Sequence, residues 1–193
     1  MNYKDKKRIQ IILYFINNLG AMTKLHLIKL IFFADKYFLM SFGRSITDDK
    51  HCALPNGPIC SETLDIINHD KFCTRETIEY FDSLLKLEEN RKISLLNQER
   101  INNFKFDAIS KVEKNVLDGI INKFKNYKTS EIWEYSHKLK EWIQFADPQT
   151  KQVKGSHFIP DVAMLNFDPK RILAEGIDEE DLHNSSLVLN GQL

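Results

Sequence analysis

The chain has 193 residues, 42% of them hydrophobic, and its 27 Lys plus Arg are matched by 27 Asp plus Glu. That length is enough for one good core, and the balanced charge gives no global field toward nucleic acid or an anionic membrane, which disfavours a nucleic-acid partner. No apolar run approaches the ~20 residues of a membrane span, no signal-peptide pattern opens the chain, and Cys52, Cys60 and Cys73 lack any Cys-x-x-Cys spacing; the expectation is a cytoplasmic protein with reduced thiols and no membrane partner.

Ile9, Ile12, Phe15, Ile16 and Leu19 recur at helical spacing from about Lys4, with Lys6, Gln10 and Asn17 on the other side and Gly20 as the stop. The charged start, Lys4 to Arg8, reads as a solvated helix end rather than a nucleic-acid arm. Thr23 caps a second helix that runs to about Ser41 and is apolar nearly all round, so it is predicted to be central. On that helix Asp35 falls between Ile28, Ile31, Phe38 and Leu39, while Lys29 and Lys36 group on the narrow polar side. A buried carboxylate without a partner costs several kcal/mol or takes up a proton. The expected donors are Arg44, just past Gly43, or the backbone of the following turn.

Residues 44 to 60 carry Gly, Pro, Asn and paired Asp and read as an irregular or short-strand connection. Ser61 and Glu62 open a short helix toward His69. Residues 74 to 107 are the least legible, with short strands expected near Ile93 to Leu96 and Phe104 to Phe106. Ser110-Lys-Val-Glu113 is a capping box, followed by a stripe of Val116, Leu117, Ile120, Ile121 and Phe124. Thr129 or Ser130 caps a helix carrying Ile132, Trp133 and His137. Ala146 to Gly155 is a polar loop, Pro160 and Pro169 suit first-turn positions of two short helices, and a polar tail starts at Ser185. The fold class is therefore α+β, predominantly α-helical: one globular domain with a minor short-stranded β element.

The chemistry-bearing residues do not assemble into a known catalytic spacing. There is no His-x-x-x-His or Cys-x-x-Cys pair, so no metal and no cofactor is expected, and His51 beside Asp48 and Asp49 reads as a surface turn residue. Ser136 and His137 are adjacent, which points them about 100° apart on a helix, and no Gly-x-Ser-x-Gly elbow is present. His137 is expected to anchor the segment leading to Trp142. Gly57-Pro58 lacks the glycines and following lysine of a phosphate loop and is a shape element. Trp133 and Trp142 suit either a core or a partner contact.

Four stretches, Lys29 to Asp35, Gly43 to Ala53, Gly57 to Ser61 and Ser136 to Trp142, resemble in order the motifs K-L-I-Y-F-A-D, G-R-P-I-T-G-D-x-Y-x-A, G-P-V-P-S and S-H-x-x-x-A-W of the Panacea domain, the SocA-like antitoxin domain. On that resemblance residues 1 to 168 form the domain and 169 to 193 a helical extension with a polar tail. Asp35, Arg44, Asp49, Gly57, Pro58, His137 and Trp142 are its structural signature. The chain departs from the pattern at Ser45 for proline, Asp48 for glycine, His51 for tyrosine and Glu141 for alanine; Asp tolerates φ > 0, so the turn survives. Ser45, Asp48, His51 and Trp133 are the candidate partner-binding residues. The resemblance implies an antitoxin of a bacterial or phage toxin-antitoxin pair, not an enzyme, that binds a cognate protein toxin directly, and, after one relative, an adaptor role toward a protease. The readings set against it are a hydrolase or transferase using Asp35, Asp49 and His137, which needs them around one cleft, and a phage regulatory DNA-binding protein, which needs a basic face.

Overall fold

The apolar periodicity of the first forty residues builds two long helices, and in the computed structural model, which describes residues 1–166, 168 and 172–192, everything else packs around the second. Helix α1 (Tyr3–Leu19) is capped by Asn2, whose side chain accepts from Asp5 N, and ends at Gly20 with φ 80°. After strand β1 (Met22–Thr23), helix α2 (Lys24–Phe42) starts on the Thr23 cap and ends at Gly43 in the left-handed region. The hairpin β2 (His51–Leu54) and β3 (Gly57–Cys60) leads into α3 (Ser61–Asn68) and α4 (Arg75–Asp82). Strands β4 (Leu85–Leu87) and β5 (Lys92–Leu95) are followed by α5 (Gln98–Asn102), α6 (Lys111–Phe124), α7 (Thr129–Ser136) and α8 (Lys140–Ile143). Strand β6 (His157–Phe158), α9 (Asp161–Met164), a 3-10 turn (Ile172–Ala174) and α10 (Glu179–Leu189) complete the order.

The strands form two small antiparallel sheets, β1-β5-β4 and β3-β2-β6. In the second, a two-residue turn at Pro55 and Asn56 sets the register, so that Leu54 faces Gly57 and His51 faces Cys60. Alternation along β2 then sends His51 and Ala53 inward toward α2 and leaves Cys52 and Leu54 half-covered. Helix α2 is covered by α1, α6, α7, α10 and β3, and Leu27, Leu30, Ile31, Phe32, Phe33 and Leu39 are fully buried. The capping box at Ser110 and Glu113 is formed as its sequence predicts.

Several expectations need correction. Lys29 and Lys36 are buried rather than on a solvated face, because backbone carbonyls from distant segments reach them: Lys29 Nζ donates to Pro58 O (2.5 Å), and Lys36 Nζ donates to Met164 O (2.7 Å) and pairs with Glu141 (2.9 Å). Gln10, placed on the polar side of α1, is buried beneath the 104–109 segment, donating to Asp107 (2.6 Å) and accepting from Ala108 N (3.0 Å). Phe104 and Phe106 form no strand; their rings pack edge-to-face at 5.1 Å, and Phe106 packs likewise on Tyr14 at 5.2 Å. Thr129 does not cap α7 but meets His26 Nδ1 at 3.1 Å. The polar tail expected from Ser185 is the second half of α10, where Leu182, Ser185 and Leu189 share one side; Ser185 Oγ donates to Met40 O at 2.9 Å. Pro160 precedes α9, while Pro169 lies outside the described residues.

Candidate functional site

Asp35, in the middle of α2, has no exposed surface. Its Oδ1 accepts from the Ile46 and Thr47 backbone N–H groups (2.9 and 3.0 Å), and its Oδ2 accepts from the Thr47 hydroxyl, from the Cys60 thiol (3.5 Å) and from His51 Nε2 (3.0 Å). Burial alone would raise the carboxyl, but the His51 and Thr47 donors outweigh it and hold it below the ordinary range. On its far side the His51 imidazole meets Asp161 of α9 at 3.3 Å. Burial would lower the imidazole; the Asp161 and Asp35 carboxylates instead raise it to about 10. The expected Arg44 partner is not there. The guanidinium lies half-exposed over the Phe38 ring (4.7 Å) and pairs with Glu113 (3.2 Å), because α2 ends at Gly43 and the next residue already points outward. His51 in turn is not a surface residue: the hairpin register carries it inward.

Two turns earlier on α2, Lys29 enters a second cluster. Its ammonium donates to Pro58 O, and burial lowers it to about 7. Gly57, at φ 94°, leaves room for it: a Cβ there would lie 2.6 Å from Lys29 Nζ, 2.8 Å from Ser136 Oγ and 3.0 Å from His137 Cε1. His137 is half-buried, holds Trp133 O through Nδ1 (2.7 Å), meets Pro55 O at 3.3 Å, and is sandwiched between the Trp133 ring (3.8 Å) and the Trp142 ring (4.2 Å). Burial lowers its imidazole, against the Trp133 and Pro55 carbonyls, which act to raise it. Trp142 is buried and its indole N–H donates to Leu54 O at 2.8 Å. Residues far apart in sequence thus meet on one helix: Lys29, Gly57, Pro58, Ser136 and His137 at one level, and Asp35, Thr47, His51 and Cys60 at the other.

The family model described as Antitoxin SocA-like, Panacea domain matches residues 27–143, the span that opens on α2 and closes on the Trp142 anchor. The chain belongs to the SocA-like antitoxin family with a Panacea domain. No curated protein and no solved structure matches it.

In this Panacea domain Asp49 closes the turn that Asp35 opens. Its carboxylate accepts from Glu62 N and Thr63 N (both 2.8 Å) and from the Thr63 hydroxyl (2.6 Å), which caps α3 from outside the helix. Burial and the Glu62 carboxylate push it up, against the pull of Thr63 and Arg8. Arg8, expected in solvent, is buried: it donates to Asp48 O (2.7 Å), pairs with Asp5 (3.0 Å) and lies 3.5 Å from Asp49. Between these supports Asp48 adopts φ 50° and stays exposed, paired with Lys4. Ser45 is half-buried and accepts from Asp48 N (3.1 Å). Trp133 is 37% exposed. Of the candidate partner-binding residues, then, His51 is inside, whereas Asp48 and Trp133 reach solvent on separate elements.

Chemically, Asp35 and Asp49 face backbone donors of two different segments, and His137 sits on the other cluster with Trp133 and Pro55. Among the described residues the group with metal-ligand character is Asp35, His51 and Cys60, whose donor atoms lie within 4.8 Å of one another. Sequence reading missed Arg8, Lys29, Cys60 and Asp161 as members of the site. The one available signal was the turn-forming run Pro55-Asn56-Gly57; read as an Asn56-Gly57 hairpin dipeptide it would pair His51 with Glu62, whereas the chain turns one residue earlier, at Pro55 and Asn56, and pairs His51 with Cys60.

Proposed function

We propose that the chain is an antitoxin that neutralises a co-encoded protein toxin by direct binding, one molecule to one, without turnover. The observation that carries this reading is the family match over residues 27–143. It is supported by the way the hydrolase candidates are used: the Asp35 and Asp49 carboxylates are consumed in holding backbone N–H groups at separate turns, rather than aimed together into one cleft. The surface offered to the toxin is the cleft of about 470 Å³ between the start of α1 and the 43–48 turn, lined by Tyr3, Lys4, Lys7, Arg44, Ser45 and Asp48. Tyr3 is 63% exposed at its edge; tyrosine and arginine are the residue types enriched in binding surfaces, and charged residues such as Lys4, Lys7 and Asp48 suit the polar rim around them. A buried scaffold below and an exposed turn above is the usual arrangement for recognition.

Titrating the purified protein into the toxin encoded beside it tests the reading. Protection is expected to saturate at one equivalent, and Asp48→Asn, which removes the charge but keeps a residue that tolerates the left-handed backbone, is expected to weaken it while leaving stability within about 1 kcal/mol of the parent. Toxin inactivated in large excess over the protein would show turnover and reject the binding mechanism; full protection by Asp48→Asn would move the contact away from this turn.

A further inference from the structure

We propose that Asp35, His51 and Cys60 form a site for a divalent cation of the Zn²⁺ class, held inside the domain as a structural staple. The three donors come from three elements, α2, β2 and β3, and their ligand atoms already converge: Asp35 Oδ2 to His51 Nε2 is 3.0 Å, Asp35 Oδ2 to Cys60 Sγ is 3.5 Å, and all three lie within 4.8 Å. Zn²⁺ binds carboxylate oxygen and imidazole nitrogen at about 2.0–2.2 Å and thiolate sulfur at about 2.3 Å, so side-chain shifts of about 1 Å or less close the set on one ion. A mixed O, N, S set favours a borderline cation over Ca²⁺ or Mg²⁺, which take oxygen.

The surroundings match those of a metal ligand set. His51 presents Nε2 to the site and turns Nδ1 to Asp161 at 3.3 Å, the carboxylate–histidine arrangement that orients a ligating imidazole. The Thr47 hydroxyl, on the same carboxylate oxygen, is a further oxygen donor beside the site. Zn²⁺ takes deprotonated ligands, so binding displaces the Cys60 thiol proton, and any proton on the imidazole nitrogen that turns to the ion, to solvent. Both His51 and Cys60 stand where the family motifs above have other residues, tyrosine and proline. All three ligands are fully buried and Asp161 on α9 closes over His51, which gives a structural ion no open position for substrate.

The test uses the untagged full chain, stripped with a chelator and titrated with Zn²⁺ or Co²⁺. One equivalent of Zn²⁺ is expected to bind and to raise the thermal midpoint, and Co²⁺ is expected to give a thiolate charge-transfer band. Cys60→Ser, nearly isosteric, should lose that band and bind Zn²⁺ at least tenfold more weakly, while the Cys52→Ser/Cys73→Ser double variant should keep both. Absence of saturable binding, or a Co²⁺ band that disappears in the double variant, overturns the proposal. The double variant decides the matter even where Cys60→Ser does not fold.

Discussion

Asp35 and Lys29 stand six residues apart on one buried helix, about 9 Å along its axis, and the protein surrounds these opposite charges unequally. Asp35 collects donors from Ile46, Thr47, His51 and Cys60 and stays ionised. Lys29 donates to one carbonyl, Pro58 O, and burial brings its ammonium down to about 7. The difference follows from what each holds. Asp35 ties down a turn, whose free N–H groups are plentiful; Lys29 ties a hairpin corner in which Gly57 and Pro58 offer little but a carbonyl. The acid is a fixed charge, and the base is a site whose charge depends on pH.

The comparison is broken most directly at the acid. Asp35→Ala leaves two backbone N–H groups, a hydroxyl and an imidazole without their acceptor, and is expected to lower stability by roughly 4 kcal/mol in denaturant titration. An unchanged midpoint would mean that the turn does not depend on Asp35. The base sharpens the contrast through pH. The Lys29 ammonium falls from an ordinary 10.5 to about 7 on folding, so above pH 7 the unfolded chain binds the extra proton, and stability must rise with pH until the ordinary value is reached; below 7 both states are protonated and the burial cost is present in full. Relative to Lys29→Met, the parent should gain roughly 2 kcal/mol between pH 7 and 9. A flat difference would show that Lys29 keeps its proton in the folded chain across this range, as a solvated ammonium does. The smallest effect belongs to the residue that sequence reasoning assigned to Asp35: Arg44→Ala removes a half-exposed pair with Glu113, which keeps Lys7 at 2.6 Å, and should cost under about 1 kcal/mol by thermal unfolding.

Much of this was readable beforehand. The periodicity of α1, α2 and α6 reports their buried faces because side-chain packing against a core is a local pattern repeated along the chain. The burial of Asp35 follows from its place among Ile28, Ile31, Phe38 and Leu39, and its turn donors follow from the chain leaving the helix at Gly43. The fates of Lys29, Lys36 and Arg8 were hidden, since the carbonyls and carboxylates that receive them belong to Pro58, Met164, Asp48 and Asp49, and a helical projection cannot see another segment. His51 was misread for the same reason: its neighbours Asp48 and Asp49 advertise a turn, while strand alternation one residue later turns it inward. In the 74–107 stretch, the Thr74 cap of α4 and the turn between β4 and β5, with Arg91 at φ 62°, carry no strong dipeptide signal.

Strand β2 borrows its outer neighbour, β6, from more than a hundred residues downstream, and α2 is completed only by Met164, Asn166 and Ser185. During synthesis the ribosome therefore releases the central helix long before its last supports exist, and contacts of such sequence separation are slow to form. A newly made chain completes the packing around α2 only after α10 has left the exit tunnel, and a chain cut short in α10 emerges with the end of α2 uncovered.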